Sequence, residues 1–166
     1  MERVLVLGAP GSGKSTLATA IARQAGLPLV HLDQHYWRPG WVEPDPAEWL
    51  HHVEKLAAGE RWAMDGNYGG TLAPRLARAD TIVWLDFPTW LCLARIAGRA
   101  LRHHGRVRAD MAQGCPERLE WEFFAYTATF RRRARRRIVE HLRDFPGTIV
   151  QLRRPREVAR FLAGLA

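Results

Sequence analysis

Short apolar runs alternate with helix-like patterns along the whole chain. Five runs read as strands: Arg3–Leu7, Pro28–Leu32, Arg61–Met64, Thr81–Leu85 and Thr148–Leu152. They are short and β-branched, the pattern of strands buried in a parallel sheet. Between and after them, apolar residues recur every three or four positions. That spacing predicts helices over Lys14–Ala25, Pro46–Ala58, Leu72–Ala77, Thr89–His103, Pro116–Arg143 and Pro155–Leu165. Breakers such as Gly26-Leu27-Pro28, Gly69-Gly70 and Pro146-Gly147 fall between the elements. The alternation predicts an α/β fold with a parallel sheet flanked by helices.

The longest predicted helix carries an apolar stripe at Leu119, Phe123, Tyr126, Phe130, Ala134, Ile138 and Leu142. Arginines 131, 132, 133, 135, 136 and 137 surround it. At 100° per residue they cannot share one face, so some are plain surface.

A length of 166 residues argues for a single domain, 1–166. With 47% hydrophobic and 25% charged residues, the composition is globular and excludes a disordered chain. No apolar run approaches the ~20 residues a membrane span needs. The run after Met1 is too short for a signal peptide, and two cysteines, Cys92 and Cys115, make no disulfide framework. The expectation is a cytoplasmic protein without a membrane partner, as a monomer or homodimer.

Charge sharpens the picture. The net charge is +8, and residues 95–137 alone hold twelve arginines against four acids. The remainder of the chain is neutral. A one-signed arginine field implies an anionic partner, either polyphosphate or nucleic acid. At this charge weak non-specific nucleic-acid binding is expected as well.

The chemistry begins at Gly8-Ala9-Pro10-Gly11-Ser12-Gly13-Lys14-Ser15-Thr16, which matches G-x-x-x-x-G-K-[ST] between a strand and a helix. Glycines let backbone N–H groups curl around phosphate oxygens, and the helix N-terminus adds further donors. Lys14 can reach the β- and γ-phosphates of ATP, and the Ser15 hydroxyl can hold Mg²⁺. No Asn-Lys-x-Asp segment occurs, so guanine readout is not expected. The chain is too small for a helicase or ring ATPase. A compact ATP-dependent phosphotransferase remains.

Asp33, Asp65 and Asp86 each close an apolar strand, on the edge where open α/β sheets bind ligands. Asp65 is assigned to the magnesium shell. Asp33 is the candidate base for an acceptor hydroxyl. Asp86 closes a segment that looks like a Walker B strand, or it caps the helix after Pro88. Tyr36, Trp37, Trp41, Trp49 and Tyr68 cluster nearby and either stack on an acceptor ring or pack their own thin segment. Trp62, Trp84, Trp90 and Trp121 read as core. Cys92 reads as buried, and Cys115 as a loop thiol open to reaction.

Together these residues resemble the adenylate-kinase-like P-loop kinases, and within them the FlaR-related DNA topology modulation proteins. The similarity is carried by Gly8–Thr16, His31-Leu32-Asp33 with Tyr36-Trp37 and Gly40-Trp41, Asp65-Gly66-Asn67-Tyr68, Leu85-Asp86-Phe87-Pro88 and Cys115-Pro116-Glu117. It implies a three-layer P-loop NTPase fold with a five-stranded sheet, an acceptor-binding segment at 33–60 and an arginine-bearing lid at 103–119. It further implies that, of the pair Arg95 and Arg99, one packs on the ATP base and the other reaches phosphates. Arg118 of the lid and Arg131 of the following helix would close on the transferring group. Arg154 and Pro155 would cradle adenine. Adenylate kinases carry Asp-Gly-Phe-Pro-Arg where this chain has Asp65-Gly66-Asn67-Tyr68-Gly69, so their arginine for a monophosphate acceptor is missing here. The reading is a phosphotransferase that moves the γ-phosphoryl of MgATP to a small nucleotide-like or hydroxyl acceptor. The alternative is an ATP-binding, DNA-associated regulator of topology.

Overall fold

The computed structural model describes residues 1–117 and 121–165. Its centre is a five-stranded, all-parallel sheet: β1 (Arg3–Gly8), β2 (Leu29–His31), β3 (Trp62–Asp65), β4 (Thr81–Leu85) and β5 (Thr148–Leu152), in the order β2-β3-β1-β4-β5. The helices are α1 (Lys14–Ala25), α2 (Leu32–Tyr36), α3 (Pro46–Ala57), α4 (Leu72–Arg78), α5 (Thr89–His103), α6 (Trp121–Leu142) and α7 (Pro155–Ala163). α1 packs with α7, and α3 packs with α4. Right-handed crossovers put these pairs on opposite faces of the sheet. This is the expected P-loop NTPase fold.

Local chemistry explains the boundaries. Asp45 caps α3 by accepting from the N–H groups of Ala47 and Glu48, with Pro46 at the first helical position. Glu157 closes a capping box on α7 by accepting from the N–H groups of Arg153 and Arg154. α1 ends on Gly26 in the left-handed conformation. Central β1 is buried from Val4 through Gly8, as a strand covered on both faces must be.

Five expectations need correction. α2 begins at Leu32, where the apolar run had read as strand. Trp90 and Trp121, read as core, are 69% and 83% exposed. The buried face of α5 is instead Cys92, Ile96 and Ala100, a spacing of four on which Trp90 does not fall. On α6, Thr127 is buried and Tyr126 is about half exposed, with Phe130, Ile138 and Leu142 inward as expected. Cys115 is fully buried and donates to the Arg38 carbonyl at 3.3 Å, so it is no exposed thiol. Residues 116 and 117 are not helical; Leu119 and Arg118 lie outside the described residues.

Candidate active site

Strand register assembles the site. His31 pairs with Asp65, Asp65 with Val6, and Gly8 with Leu85. The ends of β2, β3, β1 and β4 therefore converge at the carboxyl edge of the sheet. Above that edge lies a cleft of about 1130 Å³.

The loop after β1 forms its floor. Gly11 has φ +75°, and a Cβ there would lie 2.4 Å from the Cys92 carbonyl oxygen, so only glycine fits. Pro10 through Thr16 line the cleft, whereas Gly8 and Ala9 are buried beneath it. Lys14 donates to the Ala9 carbonyl at 3.3 Å. Burial, outweighing the charges of Asp65 and Asp33, pulls its ammonium below the ordinary lysine pKa. The loop's concave backbone and Lys14 suit a polyphosphate.

Ser15 Oγ donates to Asp65 Oδ2 at 2.8 Å. A hydroxyl oxygen beside a carboxylate is a donor set that fits Mg²⁺, which takes few protein oxygens and keeps water and phosphate ligands. His31, with no assigned role from the sequence, meets the other oxygen of Asp65 through Nδ1 at 2.5 Å. Burial depresses the His31 pKa, but its bond and charge contact with Asp65 outweigh that and leave it raised. The histidine thus orients the carboxylate toward Ser15.

Asp33 lines the cleft with Lys14, Trp37 and Tyr68. Tyr68 donates its hydroxyl to Asp33 Oδ1 at 2.5 Å. Burial pushes the Asp33 carboxyl above its ordinary pKa, against the lowering effect of that bond and of Lys14. Burial, the Asp33 charge and their bond also raise the Tyr68 hydroxyl, so it stays a donor.

Two more side chains set this wall. Asn67 brackets Gly8, donating to its carbonyl at 2.8 Å and accepting from its N–H at 3.3 Å. Arg75, with no exposed surface, donates to the carbonyls of Thr71, Gly66, Asn67 and Tyr68 at 2.6–2.9 Å. Tyr68 has φ +28°, a strained value for a residue with a side chain. The arginine holds that turn in place. Asn67 stood inside a recognised motif, but nothing in the sequence marked Arg75 as buried.

On the opposite wall, Arg95 Nη1 donates to the Ser12 carbonyl at 2.9 Å while its guanidinium lies over the Phe87 ring. Arg99 turns to Glu117, with Nε 2.9 Å from Oε1. Glu117 is buried and also pairs with Arg108 at 3.0 Å. Burial first, then the Arg108 charge, lowers the Arg99 pKa despite the carboxylate. One of only four acids in the arginine-rich stretch, Glu117 was marked in the sequence by its place in Cys115-Pro116-Glu117.

Three assigned positions sit elsewhere. Asp86 neither caps α5 nor lines the cleft. It accepts both Nε and Nη2 of Arg135 at 2.9 Å and a third bond from Gln151. Arg131 approaches the same carboxylate at 3.7 Å, so two arginines of α6 are turned to Asp86. Burial pushes the Asp86 pKa up, but the Arg135 bonds and both charges hold it below the ordinary value. At the far end, Pro155, Val158 and Leu162 line the cleft, and Arg154 stands outside that lining.

This geometry defines the class: a P-loop phosphate site on an open parallel sheet. A family model described as "ATPase family associated with various cellular activities (AAA)" matches residues 4–59, from β1 through α3. The chain is similar to an adenylate kinase of Gloeobacter violaceus, 28% identical over 127 residues. That match covers 59% of this chain and spans 58% of the relative's length. Among solved structures it resembles a gluconokinase from Sinorhizobium meliloti 1021 (TM-score 0.57, 20% identity, 99% of this chain and 91% of that one). It also resembles a shikimate kinase from Bacteroides thetaiotaomicron (TM-score 0.58, 16% identity, 99% and 95%). These likenesses show a P-loop kinase-like fold. Among the described residues, no helix is long and apolar enough to cross a membrane.

Proposed function

We propose that this chain is a phosphotransferase that moves the γ-phosphoryl group of ATP to the hydroxyl of a small acceptor. The observation that carries the reading is the half-buried Asp33, bonded by Tyr68 and sharing one cleft with Lys14 and the phosphate loop. The similarity to an adenylate kinase and to two solved kinases supports it.

In this reading the loop backbone and Lys14 hold the phosphates, and Arg95 braces the loop through the Ser12 carbonyl. Ser15 and Asp65 are the residues that would hold Mg²⁺, which supplies charge neutralisation across the phosphate oxygens when bound. Asp33 accepts the proton of the acceptor hydroxyl as its oxygen bonds to the γ-phosphorus. The bridging bond to the β-phosphate breaks and ADP leaves with the electron pair. A carboxylate with a raised pKa is a better base than an ordinary aspartate. Pro155, Val158 and Leu162 form an apolar end suited to adenine. Arg99, Arg118 and Arg131 are retained as candidates for phosphate contacts, Arg99 and Arg131 by exchanging their present carboxylate partners. The chain forms one domain, with 33–60 as the acceptor-binding segment and 103–119 as the lid. The motif Asp65-Gly66-Asn67-Tyr68 with Gly40-Trp41 supports a place in the topology modulation group.

The test is ADP production from MgATP with and without pooled acceptors, with Lys14→Ala as control. Acceptor-stimulated turnover that Lys14→Ala abolishes is the expected result. Tight ATP binding without stimulated turnover would point instead to a nucleotide-switched regulator.

A further inference from the structure

We infer that the acceptor is a hydroxyl compound without phosphate or carboxylate, held by its ring against the aromatic wall of the cleft. This rests on the kinase reading above and names the substrate class for that site.

The acceptor end of the cleft is lined by three carboxylates, Asp33, Glu43 and Asp110, and three aromatic rings, Trp37, Trp41 and Tyr68. An anionic acceptor placed there needs cations to replace the water it loses. Among the described residues, three arginines on the neighbouring segments are committed elsewhere. Arg38 pairs with Glu48 at 2.8 Å on the protein surface. Arg75 is sealed under the Tyr68 turn by four carbonyl bonds, and Arg78 donates to the carbonyls of Ala57 and Ala58.

Arg99, Arg102 and Arg108 also line the cleft. Glu117 pairs with both Arg99 and Arg108, at 2.9 and 3.0 Å, and Asp110 lies 3.4 Å from Arg108. Lys14 at the phosphate loop and Arg95 of α5, bonded to that loop's Ser12 carbonyl, stand where the polyphosphate of ATP would use them. With those two given to ATP, the five carboxylates among the described lining residues (Asp33, Glu43, Asp110, Glu117 and Glu122) outnumber the three remaining arginines, and this balance disfavours an acceptor phosphate or carboxylate. Aromatic faces beside hydrogen-bonding carboxylates suit the opposite chemistry. A sugar or nucleoside ring stacks on Trp37 or Trp41 while its hydroxyls donate to Asp33, Glu43 or Asp110. An amino sugar adds a cation that the same carboxylates attract.

Gly69 provides a position at which to change this balance. It lines the cleft, and a Cβ built on it meets nothing within 4 Å.

The experiment measures ADP release at fixed MgATP with acceptor pairs that differ by one anionic group. The pairs are adenosine against AMP, thymidine against its 5′-monophosphate, and glucose against glucuronate, with glucosamine measured beside glucose. The expected result is a kcat/KM at least tenfold higher for the partner without the anion. Glucosamine outrunning glucose would identify the cationic source of this chemistry, and the reverse the neutral one. Gly69→Arg should shrink the ratio at least fivefold by adding a cation to that wall. Turnover that favours the phosphorylated or carboxylated partner overturns the inference while leaving the kinase reading intact. Absence of turnover with every pair, while calorimetry shows intact MgATP binding, overturns the kinase reading and this inference together.

Discussion

Replacing Arg75 with methionine keeps most of the buried volume and removes the whole hydrogen-bonding head. The guanidinium satisfies the carbonyls of Gly66, Asn67, Tyr68 and Thr71, and it has no exposed surface. A hydrogen bond to a charged group contributes roughly 1.5–3 kcal/mol, and a buried carbonyl left unpaired costs about 1–3 kcal/mol. Four such groups set an upper bound near 12 kcal/mol on the same figures. Two effects reduce it: the charged head no longer has to be desolvated, and the turn can relax to admit water. A net loss of about 3–5 kcal/mol is expected, in the range for breaking a buried polar network. At about 2–4 °C per kcal/mol for a chain of this size, Tm should fall by roughly 10 °C.

The same substitution frees Tyr68 from φ +28°, so the Tyr68 bond to Asp33 should weaken as well. Thermal and urea unfolding give the stability term. Turnover measured well below the lowered Tm gives the second. A variant with Tm within 2 °C of the parent, or one destabilised but with unchanged kcat, would refute this account of Arg75.

Asp33→Asn should reduce kcat by about 10²–10⁴, the usual contribution of a positioned base, with stability at neutral pH unchanged or raised. The sign follows from the shift: a carboxyl whose folded pKa lies above its unfolded value loses stability as pH rises through that window. The parent should show an acid limb in kcat/KM above the ordinary aspartate pKa, and the variant should lack it; retention of a tenth of the activity would argue against the base. Asp86→Ala strands Arg135 and Gln151 and should cost about 2 kcal/mol in urea unfolding at pH 7. Because the folded pKa of Asp86 is depressed, its contribution is present above the unfolded value and lost as pH falls through the folded one. The gap between variant and parent should therefore close in acid. Gly11→Ala drives a Cβ against the Cys92 carbonyl and should weaken MgATP binding by tenfold or more in calorimetry.

Much of the architecture could be read from local pattern. The strand Thr81–Leu85, the helix Thr89–His103 and the phosphate loop each depend on neighbouring residues: β-branched runs, apolar spacing, and glycines at fixed offsets. The cleft residues Lys14, Ser15 and Asp33 were legible for the same reason, since a strand end followed by a loop places them on one edge. Long-range pairing was not legible. His31 and Asp65 stand 34 positions apart and meet because β2 and β3 lie side by side in register.

Arginine in a sequence reads as surface or ligand. The structure instead seals Arg75 beneath a turn, ties Arg135 to Asp86 and sets Arg99 on Glu117, because a guanidinium donates in a rigid plane to whatever acceptors the fold brings within reach. The chain by itself therefore determined the phosphate chemistry, which needs only consecutive residues. Only the tertiary structure decided which charges pair with one another around the cleft, because pairing between distant side chains depends on the sheet and the helices that bring them together.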